Sequence, residues 1–377
     1  MPRPRADFLF FDAGGGHRSA AEALRSVIEK QQRPFDVELI NLQEKLDTLD
    51  VFRKVTRVRL QDLYNLMLKK GWTLGAAQMM IGMQVIIRSL HSRTVALLEG
   101  MWRERRPDLV VSLIPHFNRA LQQSLERALP GVPFVIIITD LADYPPHMWM
   151  ERQEEQVICG TDKAVEQAFA IGHRSEHIHR VSGMILNPKF YDIDAITPAA
   201  RAAARRQLGF DPDAPVGMVL FGGQGASVMA RIAHRLPDRQ LLMICGRNTR
   251  LAAKLNAIPG RKAPMFVEGF TKEIPRYMQL SDYFIGKPGP GSVSEAVAMH
   301  LPIIVECNAW TLPQERFNAQ WVREEGLGIV LRNFSKVEDA VNRLLEPAAY
   351  KSFRAATERM KNRAVFEIPD ILQRLIA

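Results

Sequence analysis

Cysteine is scarce and scattered in this 377-residue chain. Its three cysteines, Cys159, Cys245 and Cys307, are far apart and form no C-x-x-C pair, so neither a disulfide framework nor a thiolate metal centre is indicated. Long apolar runs are also missing. The longest uncharged stretch, Gly71 to Ile87, sits at the lower edge of the roughly 17 to 25 residues a spanning helix needs, and Gly71, Gly75, Gln78, Gly82 and Gln84 dilute it. Nothing at the start reads as an export signal: Met1 to Ala6 is short and polar, and an apolar strand begins by Phe8, so a reducing, cytoplasmic location is the expectation. Acidic residues are outnumbered, 41 Asp and Glu against 50 Lys and Arg, leaving a net charge of +9. That balance calls for an anionic partner such as a nucleic acid, a phosphorylated ligand or an acidic lipid surface.

The positive charge is concentrated. Residues 53 to 106 hold eleven Lys or Arg against three acids, so nearly all of the excess lies in one segment. Over the whole chain the apolar fraction of 47% and charged fraction of 24% are those of a globular protein long enough for two domains.

Short apolar runs alternate with helix-length amphipathic stretches from end to end, which predicts an α/β chain built from βαβ units and parallel sheets. Strands are expected at Phe8 to Phe11, Val37 to Ile40, Leu109 to Leu113, Phe134 to Thr139 and Gln156 to Cys159, with a largely helical, basic insertion at about 42–106 between the second and third. The pattern pauses near Asn187-Pro188 and breaks again at Asp211 to Pro215. A second series follows at Met218 to Phe221, Leu241 to Cys245, Met265 to Val267, Tyr283 to Ile285 and Ile303 to Glu306. The expected division is residues 1–195, residues 196–355 and a C-terminal helical segment, 356–377, returning to the first part. Both halves open with a strand running into glycines, Gly14-Gly15-Gly16-His17 and Gly222-Gly223-Gln224-Gly225. Two such halves would face one another across a ligand-binding cleft.

The strongest chemical signal is Tyr283-Phe284-Ile285-Gly286-Lys287-Pro288-Gly289-Pro290-Gly291-Ser292. An apolar strand ends, glycines let the backbone approach a ligand, and a helix begins near Ser292 with free N–H groups and the positive end of its dipole facing the turn. A diphosphate suits that place. The order is neither a Walker loop nor G-x-G-x-x-G, and an ordinary glycine–proline turn opening a helix is the competing reading. Glu295, one helical turn further, can accept two ribose hydroxyls, and Gln314-Glu315 with Asn318 open a later helix where a sugar ring could be read. Without that context the pair would be a solvated first turn.

The run from Phe266-Val267-Glu268-Gly269-Phe270 through Gly289-Pro290-Gly291-Ser292, Glu295-Ala296 and Pro313-Gln314-Glu315 to Asn318 resembles the donor half of the monogalactosyldiacylglycerol synthases and processive diacylglycerol glucosyltransferases. More distantly it resembles the N-acetylglucosaminyltransferase of lipid II synthesis. Gly14 to Ala23, and Thr139-Asp140-Leu141 with His147 and Trp149, look like other segments of the same family, in the same order. The resemblance implies a GT-B architecture: two facing Rossmann-like domains with an interdomain cleft, the acceptor held by the first and a UDP-sugar by the second. Gly289, Pro290, Gly291 and Ser292 would hold the diphosphate, Glu295 the ribose, and Gln314, Glu315 and Asn318 the sugar hydroxyls. Backbone at Phe270 would read uracil, and Gly222, Gly223, Gly246, Arg247 and Asn248 would line the cleft.

The family inverts at the anomeric carbon, so one base must take the acceptor's proton. His17 is the candidate, because imidazole has a suitable pKa; it could instead cap its helix or touch the leaving phosphate, and Asp140 and His147 are the alternatives. Helix N–H groups with Lys287 or Arg247 would stabilise the leaving group, and no metal or other cofactor is expected. The strings Asp192-Ile193-Asp194 and Asp211-Pro212-Asp213 read as turns. Tyr144-Pro145-Pro146 and Ala309-Trp310-Thr311-Leu312 depart from the family pattern, which leaves the sugar open.

The insertion mixes Arg57, Arg59, Lys69 and Lys70 with Trp72, leucines and methionines, a composition suited to the interface of an anionic membrane. A core-packing helical layer is the alternative. No nucleic-acid motif accompanies the charge. The expectation is a hexosyltransferase, peripheral on the inner face of the cell membrane, acting on a diacylglycerol-like lipid. A soluble acceptor, UDP-sugar epimerisation on the same fold, or a non-enzymatic basic adaptor are the other readings.

Overall fold

The computed structural model describes residues 3–12, 15–46 and 76–377. The insertion positions Arg57, Arg59, Lys69, Lys70 and Trp72 lie outside these residues.

The first half places β1 (Arg5–Phe10), α1 (Gly16–Lys30), β2 (Asp36–Asn41), α2 (Leu42–Leu46), α3 (Ala76–Ser89), α4 (His91–Arg105), β3 (Leu109–Ser112), α5 (Asn118–Ala128), β4 (Phe134–Ile137), β5 (Gln156–Cys159), α6 (Asp162–Ile171) and β6 (Ile178–Arg180) along the chain. Its strands form one parallel sheet in the order β2-β1-β3-β4-β5-β6. The inner strands β3 and β4 are buried along their whole length, as expected where helices cover both faces of a parallel sheet and each strand reads as a continuous apolar run. The edge strand β6 went unanticipated, because His179 and Arg180 interrupt any apolar run.

The second half runs α7 (Pro198–Gln207), β7 (Val216–Leu220), α8 (Val228–Arg235), β8 (Gln240–Ile244), α9 (Thr249–Asn256), β9 (Met265–Glu268), α10 (Ile274–Gln279), β10 (Tyr283–Gly286), α11 (Pro290–Ala298), β11 (Ile303–Glu306), α12 (Pro313–Glu324), β12 (Gly328–Leu331), α13 (Val337–Leu344), α14 (Pro347–Arg359) and α15 (Ala364–Ile376). Its parallel sheet has the order β12-β11-β10-β7-β8-β9. Here β12, an edge strand opened by Gly328, was the unanticipated one.

Two carboxylates, one buried and one half-buried, fix helices to these sheets. Asp7 of β1, fully buried, takes a two-pronged contact from the Arg105 guanidinium at 2.7 and 3.1 Å, while Trp102, also fully buried, donates from Nε1 to Ser124 Oγ at 2.9 Å. The last helix of the insertion is thus part of the first sheet's covering layer, and Arg105 serves the fold rather than a surface. In the second half Asp282 accepts from Arg201, Arg205 and the Val216 amide, which ties α7 to the second sheet.

The chain then crosses back. Ala364, Val365, Ile368 and Leu372 of α15 join Leu24, Val27 and Ile28 of α1 in one apolar cluster under the first sheet. Ile368 is 1% exposed. Ile368→Ala should therefore lower stability by about 2–5 kcal/mol, read as a fall in the urea midpoint; a change no larger than that of a surface substitution would contradict the packing.

Candidate functional site

In each sheet the chain builds outward to one side and then reverses: from β1 to β2 and back to β3, and from β7 through β8 and β9 back to β10. Such reversals leave a crevice at the carboxyl ends of the two strands that part, where ligands of open α/β sheets bind. His17 lies at the first point and Gly222, Gly223, Lys287 and Gly289 to Ser292 at the second, with the other described site residues on the loops and helices that follow neighbouring strands.

At the β1/β3 reversal, Gly15 turns with φ 83° before α1, an angle that glycine adopts at little cost. His17 follows in the first turn of the helix and is half-buried. Its Nδ1 lies 3.0 Å from Thr139 Oγ1, and its ring is 5.8 Å from that of Trp149. Burial holds the imidazole down at about 4, partly offset by a hydrogen bond to the Leu113 backbone, so it is a neutral, unprotonated ring near pH 7.

Asp140 is buried, and its Oδ2 accepts the Trp149 indole N–H at 2.9 Å. Burial pushes its carboxyl up to about 7. The Trp149 hydrogen bond opposes the rise, the negative charge of Glu315 adds to it, and Lys287 opposes it. A group of the first half therefore feels the charges of the second directly across the cleft. Tyr144, one of the departures from the family pattern, stacks on Phe317 of α12 with centroids 6.1 Å apart and planes at 17°. Leu141, Ala142 and Met184 complete this apolar contact between the halves.

Three groups here escaped the sequence reading or were undervalued by it. Asp143 is fully buried and accepts the amides of Met148, Trp149 and Met150 at 3.0, 2.8 and 3.3 Å. It thereby sets the loop that carries His147 and the Trp149 indole. His116 ends the segment after β3 with φ 73°, and its Nδ1 is buried without a hydrogen-bond partner. Burial, then the neighbouring His17, hold its imidazole down at about 4. A lone histidine after an apolar strand gives no periodic signal. His147 is exposed, with φ 63°, and lines with His116 a cavity of ≈ 230 Å³ against α3.

At the β7/β10 reversal, Gly222 turns with φ 70°. Pro290 occupies the first position of α11, two residues earlier than expected, and a proline there lacks only an N–H the helix does not use. The Val293 amide returns to the Gly289 carbonyl at 3.0 Å, so the amides of Gly291 and Ser292 stand outside the helix's own ladder. No atom lies within 4 Å of a Cβ built on Gly291. The end of α11 is open to a ligand. Glu295 is half-buried on the same helix, and burial alone pushes its carboxyl up to about 7.

Lys287 pairs with Glu315, Nζ to Oε1 at 2.5 Å, with the Glu315 side chain 9% exposed. Gln314 stands beside it, half-buried, on the first turn of α12. Asn318 is fully buried and donates from Nδ2 to the Pro288 carbonyl at 2.8 Å, so it braces the glycine turn from behind. Gly246, φ 57°, leaves no space for a side chain: a Cβ there would lie 2.3 Å from the Gly223 carbonyl oxygen, and the Arg247 amide donates to that oxygen at 2.9 Å. The two glycine turns are thus interlocked. Asn248 spends its side chain on capping α9, through Leu251 N at 3.0 Å, and on the Gln224 carbonyl at 3.2 Å. The exposed Phe270 ring carries the Arg247 guanidinium 5.0 Å above it, at the rim of the cleft. Of the two D-x-D strings, Asp211 accepts the Asp213 amide at 3.0 Å in a turn, and Asp192 pairs with Lys30 on the surface.

The chain matches two family models. Residues 17–184 match monogalactosyldiacylglycerol synthase, and residues 218–375 match the C-terminal domain of glycosyltransferase family 28. It is 27% identical to the chloroplastic monogalactosyldiacylglycerol synthase of Spinacia oleracea, over 99% of this chain and 72% of that one. The identity is 28% to a probable synthase of Glycine max, over 98% and 71%. Among solved structures, Acinetobacter baumannii MurG superposes with a TM-score of 0.63 at 11% identity, covering 98% of this chain and all of that one. Anabaena HepE in complex with UDP-glucose superposes with 0.54 at 14% identity, over 98% of each chain.

Asp143 is the group on which the Trp149–Asp140 geometry rests. Asp143→Ala strands three buried amides and should cost about 2 kcal/mol in urea unfolding, with a shifted tryptophan emission; an unchanged midpoint and spectrum would contradict that role.

Proposed function

We infer that this chain, which belongs to the monogalactosyldiacylglycerol synthase family of GT-B glycosyltransferases, moves a hexose from a UDP-sugar to a diacylglycerol-like lipid with inversion. The observation that carries the reading is the meeting of the two halves at Tyr144 and Phe317, with the open amino end of α11, Lys287 and Glu315 on one side and His17 and Asp140 on the other, where the Asp140 carboxyl lies near enough to Glu315 and Lys287 to be shifted by their charges. The family membership and the apolar, basic insertion favour lipid transfer over a soluble acceptor or epimerisation.

The diphosphate would sit on the Gly291 and Ser292 amides, where the helix dipole favours negative charge. Lys287 would turn from Glu315 to the phosphates, freeing Glu315 and Gln314 for the sugar hydroxyls. Glu295 would take the ribose, and the Phe270 backbone the uracil. The acceptor oxygen attacks the anomeric carbon opposite the diphosphate, its proton passes to the neutral His17, and the bond to the phosphate oxygen breaks with its electron pair on UDP. Amides and Lys287 stabilise that charge.

Residues 1–195 would form the acceptor domain, 196–355 the donor domain, and 356–377 the segment crossing back. The packing of α15 on α1 supports that division. Among the described residues no helix is long and apolar enough to cross a membrane. We place the chain peripherally on the inner face of the cell membrane. The basic insertion supports this, as do Val85 and Ile86, which are 61% and 54% exposed on α3.

Two measurements test the reading. The purified chain with anionic vesicles containing diacylglycerol should release UDP from UDP-galactose or UDP-glucose. His17→Ala should lose about 10²–10⁴-fold in turnover with UDP affinity intact; absence of both release and binding for every UDP-sugar tried would overturn it. Because Glu295 titrates at about 7 and only its ionised form accepts both ribose hydroxyls, UDP affinity should weaken as pH falls through 7, by up to about tenfold per unit. In Glu295→Gln that dependence should disappear in calorimetry. A pH dependence identical in the two proteins would remove Glu295 from the ribose site.

A further inference from the structure

His116 carries two costs: its backbone, whose amide donates to the Met148 carbonyl at 2.6 Å, is left-handed, and no contact within the described residues accounts for its unpartnered ring nitrogen. A left-handed backbone at a non-glycine residue is disfavoured, and a buried ring nitrogen without a partner forfeits its hydrogen bond to water. Such outliers gather where a ligand makes them worthwhile. The position lies in the loop beyond the carboxyl end of β3, where the first sheet reverses, close enough to His17 for the two rings to influence each other. His116 and His147 form the floor of the ≈ 230 Å³ cavity, and Gln84, Arg88 and His91 form the wall from α3 and α4. That volume falls below the about 300–1,000 Å³ of a whole ligand cleft, and suits the polar end of a lipid rather than its chains. Val85 and Ile86 stand exposed on the same helix as Gln84 and Arg88, so chains leaving the cavity meet an apolar surface.

We propose that His116 is an acceptor-binding residue: its imidazole hydrogen-bonds an oxygen of the lipid's glycerol head in this cavity and holds the reacting hydroxyl toward His17. The assignment rests on the transferase reading above. It makes the cavity the acceptor entrance and α3 the element that joins the membrane surface to the reaction. In the transfer step His116 neither gains nor loses a proton. The hydroxyl proton goes to His17 and the leaving pair to UDP.

The left-handed backbone chooses the variants, since glycine and asparagine both tolerate that conformation. His116→Gly, which removes the imidazole, should raise the KM for diacylglycerol in mixed vesicles about tenfold while the KM for the UDP-sugar and the calorimetric affinity for UDP stay unchanged. His116→Asn, which keeps a hydrogen-bonding group, should recover most of the loss. Gln84→Trp, which fills the cavity from the helix side without altering the His116 backbone, should raise the same acceptor KM, so the proposal does not hang on one variant's folding. An active wild-type chain whose acceptor KM is unmoved by both His116→Gly and Gln84→Trp overturns the acceptor assignment alone. A wild-type chain that neither binds UDP nor transfers to lipid overturns the functional reading beneath it.

Discussion

The reversal of strand order in each sheet is the constraint on which the rest of the molecule depends. Where β1 parts from β3 and β7 from β10, the helices that follow go to opposite faces, and the strand ends between them stay uncovered. At β10 that opening exposes the amino end of α11, with two backbone amides its own ladder does not use. At β1 it exposes the first turn of α1 with His17. Chemistry that joins a nucleotide-activated sugar to a hydroxyl needs an electropositive cradle and a base at close quarters. On the proposed reading the two reversals would supply both without any element built for the purpose.

Burial then sets the electrostatics. His17 and His116 are driven down to about 4, Asp140 and Glu295 up to about 7, all chiefly by loss of water. The cleft is therefore poised close to neutral, with Lys287 held on Glu315 until an anion competes for it. On the proposed reading that arrangement would link the two parts of the donor, since a phosphate that drew Lys287 away would free Glu315 for the sugar. The loop opposite is kept rigid by Asp143, whose three amide contacts hold the indole that in turn holds Asp140.

Much of this was legible in the sequence because its signals are local. Buried parallel strands are continuous apolar runs, so the inner strands of both sheets were found. A strand running into Lys287-Pro288-Gly289-Pro290-Gly291-Ser292 can hardly avoid making a helix end open to an anion. What escaped depended on tertiary contact. The edge strand β6 lacks the apolar run, since His179 and Arg180 occupy it, whereas β12 is a short apolar Gly-Ile-Val-Leu run that the reading passed over. Asn248 and Asn318, expected at the ligand, also brace the fold: Asn248 accepts the Leu251 amide as a helix cap, and Asn318 donates to the Pro288 carbonyl behind the glycine turn; an amide side chain near a site looks the same in sequence whichever way it points. His116 shows neither period nor motif, and its meaning comes only from the sheet reversal that sets it near His17. Arg105, counted with the basic insertion, is taken up by the buried Asp7.

The central claim is a division of labour between the two reversals, donor at β7/β10 and acceptor at β1/β3. Amide hydrogen exchange on the full chain tests it most directly, because the Gly291 and Ser292 amides lie outside the helix ladder and should be fast when no ligand is bound. UDP should slow exchange at Gly291, Ser292 and Gly222, and leave His17 to Ala20 unchanged. Protection by UDP confined to the His17 segment, with the amino end of α11 unaffected, would contradict the account.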